Sequence, residues 1–173
     1  NFSITAQSGG SARIYYIKVN GRILVDADPT QNTSQVWSSN NNGNSFPLRP
    51  ASEAFNKEVG STSGDYWQGL PNVDAWVKFS QPLDVTAQSL EISSYVAGSG
   101  WTCRILDSDG NETDISSQLT SDFSFTTITG ITDFAGIVIS SPDENSNYIA
   151  IGGVKVDDKL LVDPSGFLGG TYS

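Results

Sequence analysis

Apolar residues alternate with polar ones along much of this chain, and no window of about 11 residues carries a helical repeat of 3.6. A period of two sends successive side chains to opposite faces of a strand, so the chain has to fold as half-buried strands. The sharpest local signal is Asn20-Gly21, flanked by strands at Ala12 to Val19 and Arg22 to Asp26. The favoured two-residue hairpin turn needs positive φ at both central residues, which Asn and Gly tolerate best. Further strands are expected at Ala75 to Ser80, with Ala75, Val77 and Phe79 on one face, and at Ser89 to Val96, Trp101 to Leu106, Glu112 to Ile115, Phe123 to Ile128, Phe134 to Ser140 and Tyr148 to Val156. Short strands separated by turns predict an all-β sandwich or jelly roll.

The first hairpin has a counterpart near the other end. Ile17-Lys18-Val19-Asn20-Gly21-Arg22-Ile23-Leu24-Val25-Asp26 returns as Val154-Lys155-Val156-Asp157-Asp158-Lys159-Leu160-Leu161-Val162-Asp163. The spacing is that of a whole domain and far exceeds a solenoid turn, so tandem modules are expected. Residues 1–23 then form the terminal hairpin of a preceding module or a linker, 24–165 one complete sandwich, and 166–173 a linker or tail. The chain starts at Asn1 and has no methionine, which leads to the expectation that residues precede it.

Composition narrows the chemistry. The 173 residues, 37% of them hydrophobic, suffice for one good core. A net charge of −10 with nine scattered basic residues repels phosphate backbones and anionic lipids, which argues against nucleic acid as a partner. No apolar run approaches the ~20 residues of a membrane-crossing helix, so no membrane insertion is expected. Histidine is absent and Cys103 stands alone, which removes Ser-His and Cys-His nucleophile systems, an ordinary zinc ligand set and an intrachain disulfide. Cys103, sharing a strand face with Trp101 and Ile105, is expected to be a small buried thiol. Glycoside hydrolysis needs only carboxylates, but Glu53, Glu58, Glu91, Glu112 and Glu144 sit among polar or turn residues with no sign of desolvation. No catalytic residue is assigned.

Between Asp28 and Asp74 the alternation fails, with Asn- and Gly-rich stretches and only Ser52 to Asn56 resembling an ordered element. This region still carries Trp37, Phe46, Tyr66 and Trp67. The order of elements is informative: a Trp37-Ser38-Ser39 after the opening hairpin, Ala54-Phe55-Asn56-Lys57, Tyr66-Trp67, a strand Val77-Lys78-Phe79 ending in Ser80-Gln81-Pro82-Leu83, and the closing Val154 to Asp163. Over roughly residues 24 to 165 it resembles a galactose-binding-like (discoidin or F5/8 C type) jelly roll. In particular it is similar to the modules strung along tail fibres and other virion proteins of marine and cyanobacterial phages. Asn56-Lys57 stands where that family's turn has Asp-Gly, and the cysteine pair of some secreted members is missing.

The resemblance implies a non-enzymatic virion module, in a tail fibre or a capsid or tail appendage, for spacing and host-surface adhesion. Its partners would be copies of itself, other virion proteins and a host-surface glycan, and its place the virion or the extracellular space. The rival reading is a carbohydrate-binding module of a secreted bacterial glycosidase or adhesin. Sugars need an aromatic ring to stack on, with amide and carboxylate partners for hydroxyls; Asp65, Tyr66, Trp67, Asn72 and Trp101 supply those types in loop-like places. The competing assignment for these aromatics is cover for the ends of the core. Stacking one sugar on one ring contributes ~1–2 kcal/mol, so adhesion would depend on copy number. No cofactor or metal ligand set is assigned. The resemblance allows a structural calcium near module ends, where Asp26, Asp28 and Asp163 would meet if the two hairpins pack together; Asp107-Ser108-Asp109-Gly110-Asn111 reads as a polar turn, because a helical calcium loop would need Glu where Gln118 stands. Trp76, Phe46 and Phe167-Leu168 are expected at contacts between chains.

Overall fold

The computed structural model describes residues 51–56, 66–69, 71–143 and 145–163, together with the backbone of short strands in the first 50 residues. Those are β1 (Lys18–Val19), β2 (Arg22–Ile23), β3 (Gln31–Asn32), β4 (Trp37–Ser39), β5 (Asn44–Ser45) and β6 (Leu48–Arg49). A 3-10 turn at Ala51–Phe55 follows. The remaining strands are β7 (Trp67–Gln68), β8 (Ala75–Asp84), β9 (Leu90–Ala97), β10 (Thr102–Leu106), β11 (Glu112–Asp114), β12 (Phe125–Ile128), β13 (Asp133–Ser140), β14 (Tyr148–Val156) and β15 (Lys159–Leu161).

Two sheets enclose the core. One has the order β11-β10-β13-β8-β4; the other runs β12-β9-β14-β15-β3, with β7 also paired to β14. Among the described residues every ladder is antiparallel except that of β15 with β3, where Leu160 stands opposite Gln31 and Leu161 opposite Asn32. The expected all-β sandwich is the observed architecture. Ala75, Val77 and Phe79 face inward as their spacing predicts, beside Ile137 and Ile139 of the neighbouring β13 and in one core with Leu90, Ile92, Ile149 and Ile151 of the other sheet.

Two irregularities re-phase that alternation. On β14 the ladder slips at Gly152, so the buried set changes from Ile149 and Ile151 to Val154 and Val156. A one-residue slip would otherwise turn every later side chain to the wrong face. Between β13 and β8, Phe134 pairs with Leu83 and Gly136 with Lys78, leaving residues 79–82 opposite a single residue, 135. Pro82 has no N–H to give a ladder, and the bulge is where a strand tolerates it. β8 therefore runs through Ser80-Gln81-Pro82-Leu83, where the sequence reading ended the strand.

The turn Asp157-Asp158 has positive φ at both residues (53° and 62°), the geometry expected of the repeated hairpin. β1 and β2 pair Lys18 with Ile23 and Val19 with Arg22; β14 and β15 pair Lys155 with Leu160 and Val156 with Lys159. The two repeats thus share sequence and register. Cys103 is fully buried, and loss of solvation pushes its thiol pKa far up, which leaves it an inert core residue. Phe46 and Phe167-Leu168 lie outside the described residues. Trp76 is half-buried on the outer side of β8, with the Lys78 ammonium 5.1 Å from its ring centre.

Candidate functional site

The outer side of the six-membered sheet carries a chain of aromatic rings. Because Ile92 and Val96 of β9 face the core, the intervening parity sends Tyr95 outward; likewise Ile149 inward sends Tyr148 outward. Tyr148 pairs with Ala97 and Ala150 with Tyr95, so the two tyrosines are diagonal neighbours, with ring centres 6.0 Å apart. Phe123 stacks on Tyr95 at 5.4 Å and 21°, and Tyr66 meets Phe123 at 5.3 Å. Tyr66 is buried under this cluster, whereas Tyr95, Phe123 and Tyr148 remain half-buried. The row continues in Phe125, whose ring carries the Lys155 ammonium 4.1 Å from its centre and packs over Gly153.

Phe123 is held in an unusual way. Its φ is +58°, a region that a residue with a bulky side chain enters only at a cost of about 1–3 kcal/mol. Two buried serines of β9 secure it. The Ser93 hydroxyl donates to the Phe123 carbonyl (2.8 Å), and the Phe123 N–H donates to the Ser94 carbonyl (2.8 Å). The Ser94 hydroxyl donates to the Thr120 carbonyl and accepts from the Thr120 N–H. Asp122 shapes the same loop by accepting from Ser124 N–H (2.9 Å) and Oγ (2.6 Å), bonds that hold its carboxyl below the usual range. Fixed serines and a strained backbone together present one ring.

The residues singled out from sequence separate. Trp67 is a correction: it is 1% exposed and pairs with Ile151, so its indole fills the core and offers no face to a sugar. Its Gly- and Ser-rich neighbourhood is a poor guide to burial, because the partner across the ladder decides which layer a residue enters. Asp65 lies outside the described residues. Asn72 is exposed, with φ of +56°, and donates its N–H to the Ser141 carbonyl (2.7 Å). Trp101, beside β10, is half-buried against the core, as expected of a residue covering its end; its indole N–H is buried without a hydrogen-bond partner among the described residues. Asn72 and Trp101 approach the end of β13 from either side. Tyr148 begins β14 at that same end, beyond the loop that Asp143 pins by accepting the N–H groups of Asn145, Ser146 and Asn147 and the Asn147 amide. Those bonds hold the Asp143 carboxyl far below its ordinary pKa.

Sequence reasoning missed these rings, although the parity of β9 and β14 was a signal that could have placed Tyr95 and Tyr148 outward. Nothing in the sequence marked Phe123, since its placement depends on a positive φ.

The loop read as a polar turn is one. Asp107 accepts from the N–H groups of Asp109 and Asn111 and from the Asn111 amide, so its oxygens are engaged within the turn. Asp133, across a groove of about 110 Å³, accepts from Ser108 N–H at 2.9 Å. Among the described residues no group of three or more His, Cys, Asp or Glu could hold a metal ion. Asp163 is buried, and its N–H donates to the Phe55 carbonyl (2.8 Å); Asp26 and Asp28 lie outside the described residues.

The fold of the described residues is that of a two-sheet β-sandwich. No family model and no curated protein matches the chain. Among solved structures it is similar to a CBM32-2 domain of GH31, determined bound to GalNAc, at 14% identity and a TM-score of 0.43, over 72% of this chain and 98% of that one.

Proposed function

We propose that this sandwich is a non-catalytic glycan-binding module whose contact surface is the ring row Tyr95, Phe123 and Tyr148, extending toward Asn72 and Trp101 at the same end. The observation that carries the reading is the stacked Tyr95–Phe123 pair, half-exposed on a rigid sheet and held there at a backbone cost. Sugars present C–H faces that pack on such rings, and tyrosine hydroxyls at the edge bond their hydroxyl groups. A single site of this kind is weak, so the module would act in multiple copies. The resemblance of the closing phrase to phage virion modules supports a place on a tail fibre or capsid appendage; a carbohydrate-binding module of a secreted glycosidase or adhesin has the same contact chemistry.

The test is binding of a multivalent display of the domain to a glycan array and to host cells, with Tyr95→Ala and Tyr148→Ala beside the unaltered chain. Loss of binding with a melting temperature shifted by only a few degrees supports the proposal. A unaltered chain that binds no glycan, or a double variant that binds as well as the original, removes it.

A further inference from the structure

The repeated hairpin occurs twice, but the sandwich has one place for it. In the closing copy, β14 is flanked by β9 and β15 by β3, while Leu160, Leu161 and Val162 are buried and Asp163 is tied to Phe55. The first copy has the corresponding apolar trio Ile23-Leu24-Val25, the corresponding Asp26, and the same pairing register. Yet among the described residues β1 and β2 form a ladder of two strands only. The place that would bury such a trio in this chain is already filled by residues 160–162.

We infer that β1–β2 is the closing hairpin of another copy of this fold that precedes it on the polypeptide, seated between that copy's counterparts of β9 and β3. Matched register makes the two hairpins interchangeable along their backbone edges. A matched apolar trio makes them interchangeable in the core. The chain after the hairpin supports the same order: β3 begins at Gln31, soon after Asp26, and pairs with the closing strand of its own sandwich. Each copy thus hands over to the next directly after its last strand. The inference does not depend on what the ring row binds.

The experiment adds a copy. Residues 27–153 are placed directly ahead of Ile17 of the full chain, so that 17–26 stand where 154–163 stand in the original. The expected result is two folded sandwiches: the calorimetric unfolding enthalpy about doubles, and amide exchange at 18–23 slows to the rate of the counterparts at 155–160. In the same fusion, Ile23→Asp with Leu24→Asp leaves the added copy unfolded and the original folded. A second fusion, with residues 27–163 ahead of Ile17, carries its own closing hairpin and shows that the context accommodates another copy. If that one folds and the 27–153 fusion does not, or if the Asp variant folds as well as its parent, the inference is overturned.

Discussion

The two outer faces of the sandwich use their long side chains in opposite ways. On the β10-β13-β8 side, the Arg104 guanidinium lies 2.7 Å from Glu112 and 3.0 Å from Asp74 and donates to the Ser140 hydroxyl, which itself bonds Asp74. Val138 is buried in the row of Arg104 and Trp76, and Lys78 caps the indole. These polar groups bond one another, although Arg104 Nε is buried without a hydrogen-bond partner among the described residues. On the β9-β14 side the rings contact one another through their faces, while the polar groups beneath them, Ser93 and Ser94, serve the backbone. The first face satisfies its own charges; the second holds apolar rings half-open by means of buried bonds, and it is there that the proposed contact lies.

The contrast can be broken first at the serines. Ser94→Ala removes the only hydroxyl partner shown for the Thr120 N–H and carbonyl, and an orphaned buried group costs about 1–3 kcal/mol. Denaturant melts should show a loss in that range, while glycan binding should fall only as far as the loop at Thr120 loosens, because the Ser93 hydroxyl and the Ser94 carbonyl still hold Phe123. Tyr95→Ala should act on binding more than on stability. Removing one stacking ring weakens binding about tenfold, while the lost cross-strand contact costs about 1 kcal/mol. Titration calorimetry beside a thermal melt separates the two. Phe123→Gly and Phe123→Ala both delete the ring, but glycine relieves the positive φ, so the Gly variant should be more stable by about 1 kcal/mol while both bind equally weakly. Equal stabilities would show that the loop relaxes elsewhere.

On the opposite face, Arg104→Ala should cost at most about 1 kcal/mol, since its partners are partly solvated, and should leave glycan binding unchanged. The smallest effect is with pH. The Ser140 hydroxyl and Arg104 hold the Asp74 carboxyl below its ordinary pKa, so its stabilising contribution is present above the unfolded value near ~4 and disappears as pH falls through the folded one. The Arg104→Ala variant should therefore lose less stability than the parent on acidification below about pH 4.

Parity made most of the fold legible. Ala75, Val77 and Phe79, the strand at Tyr148 to Val156, and the Asp157-Asp158 turn all followed from alternation and turn chemistry. It stopped short at residues 79–82 and gave no sign of the slip at Gly152, because a slip is a property of two strands and no single run of residues displays it. The site was less legible for the same reason. Trp67 and Tyr66 are adjacent, but their layer was set by β14 opposite them, and the ring that completes the cluster comes from a left-handed residue in a loop. Asn72 and Trp101 do sit at one end, joined through the end of β13 rather than through each other.

The parallel pairing of β3 with β15 joins the start of the sandwich to its last strand. On a ribosome adding ~5–20 residues per second, β3 emerges roughly ten seconds before its partner exists, with one edge waiting. Such a long-range closure makes folding slow and leaves the half-made sheet open to a neighbour's strand. Synthesis rate, as much as sequence, then sets how many chains close on themselves.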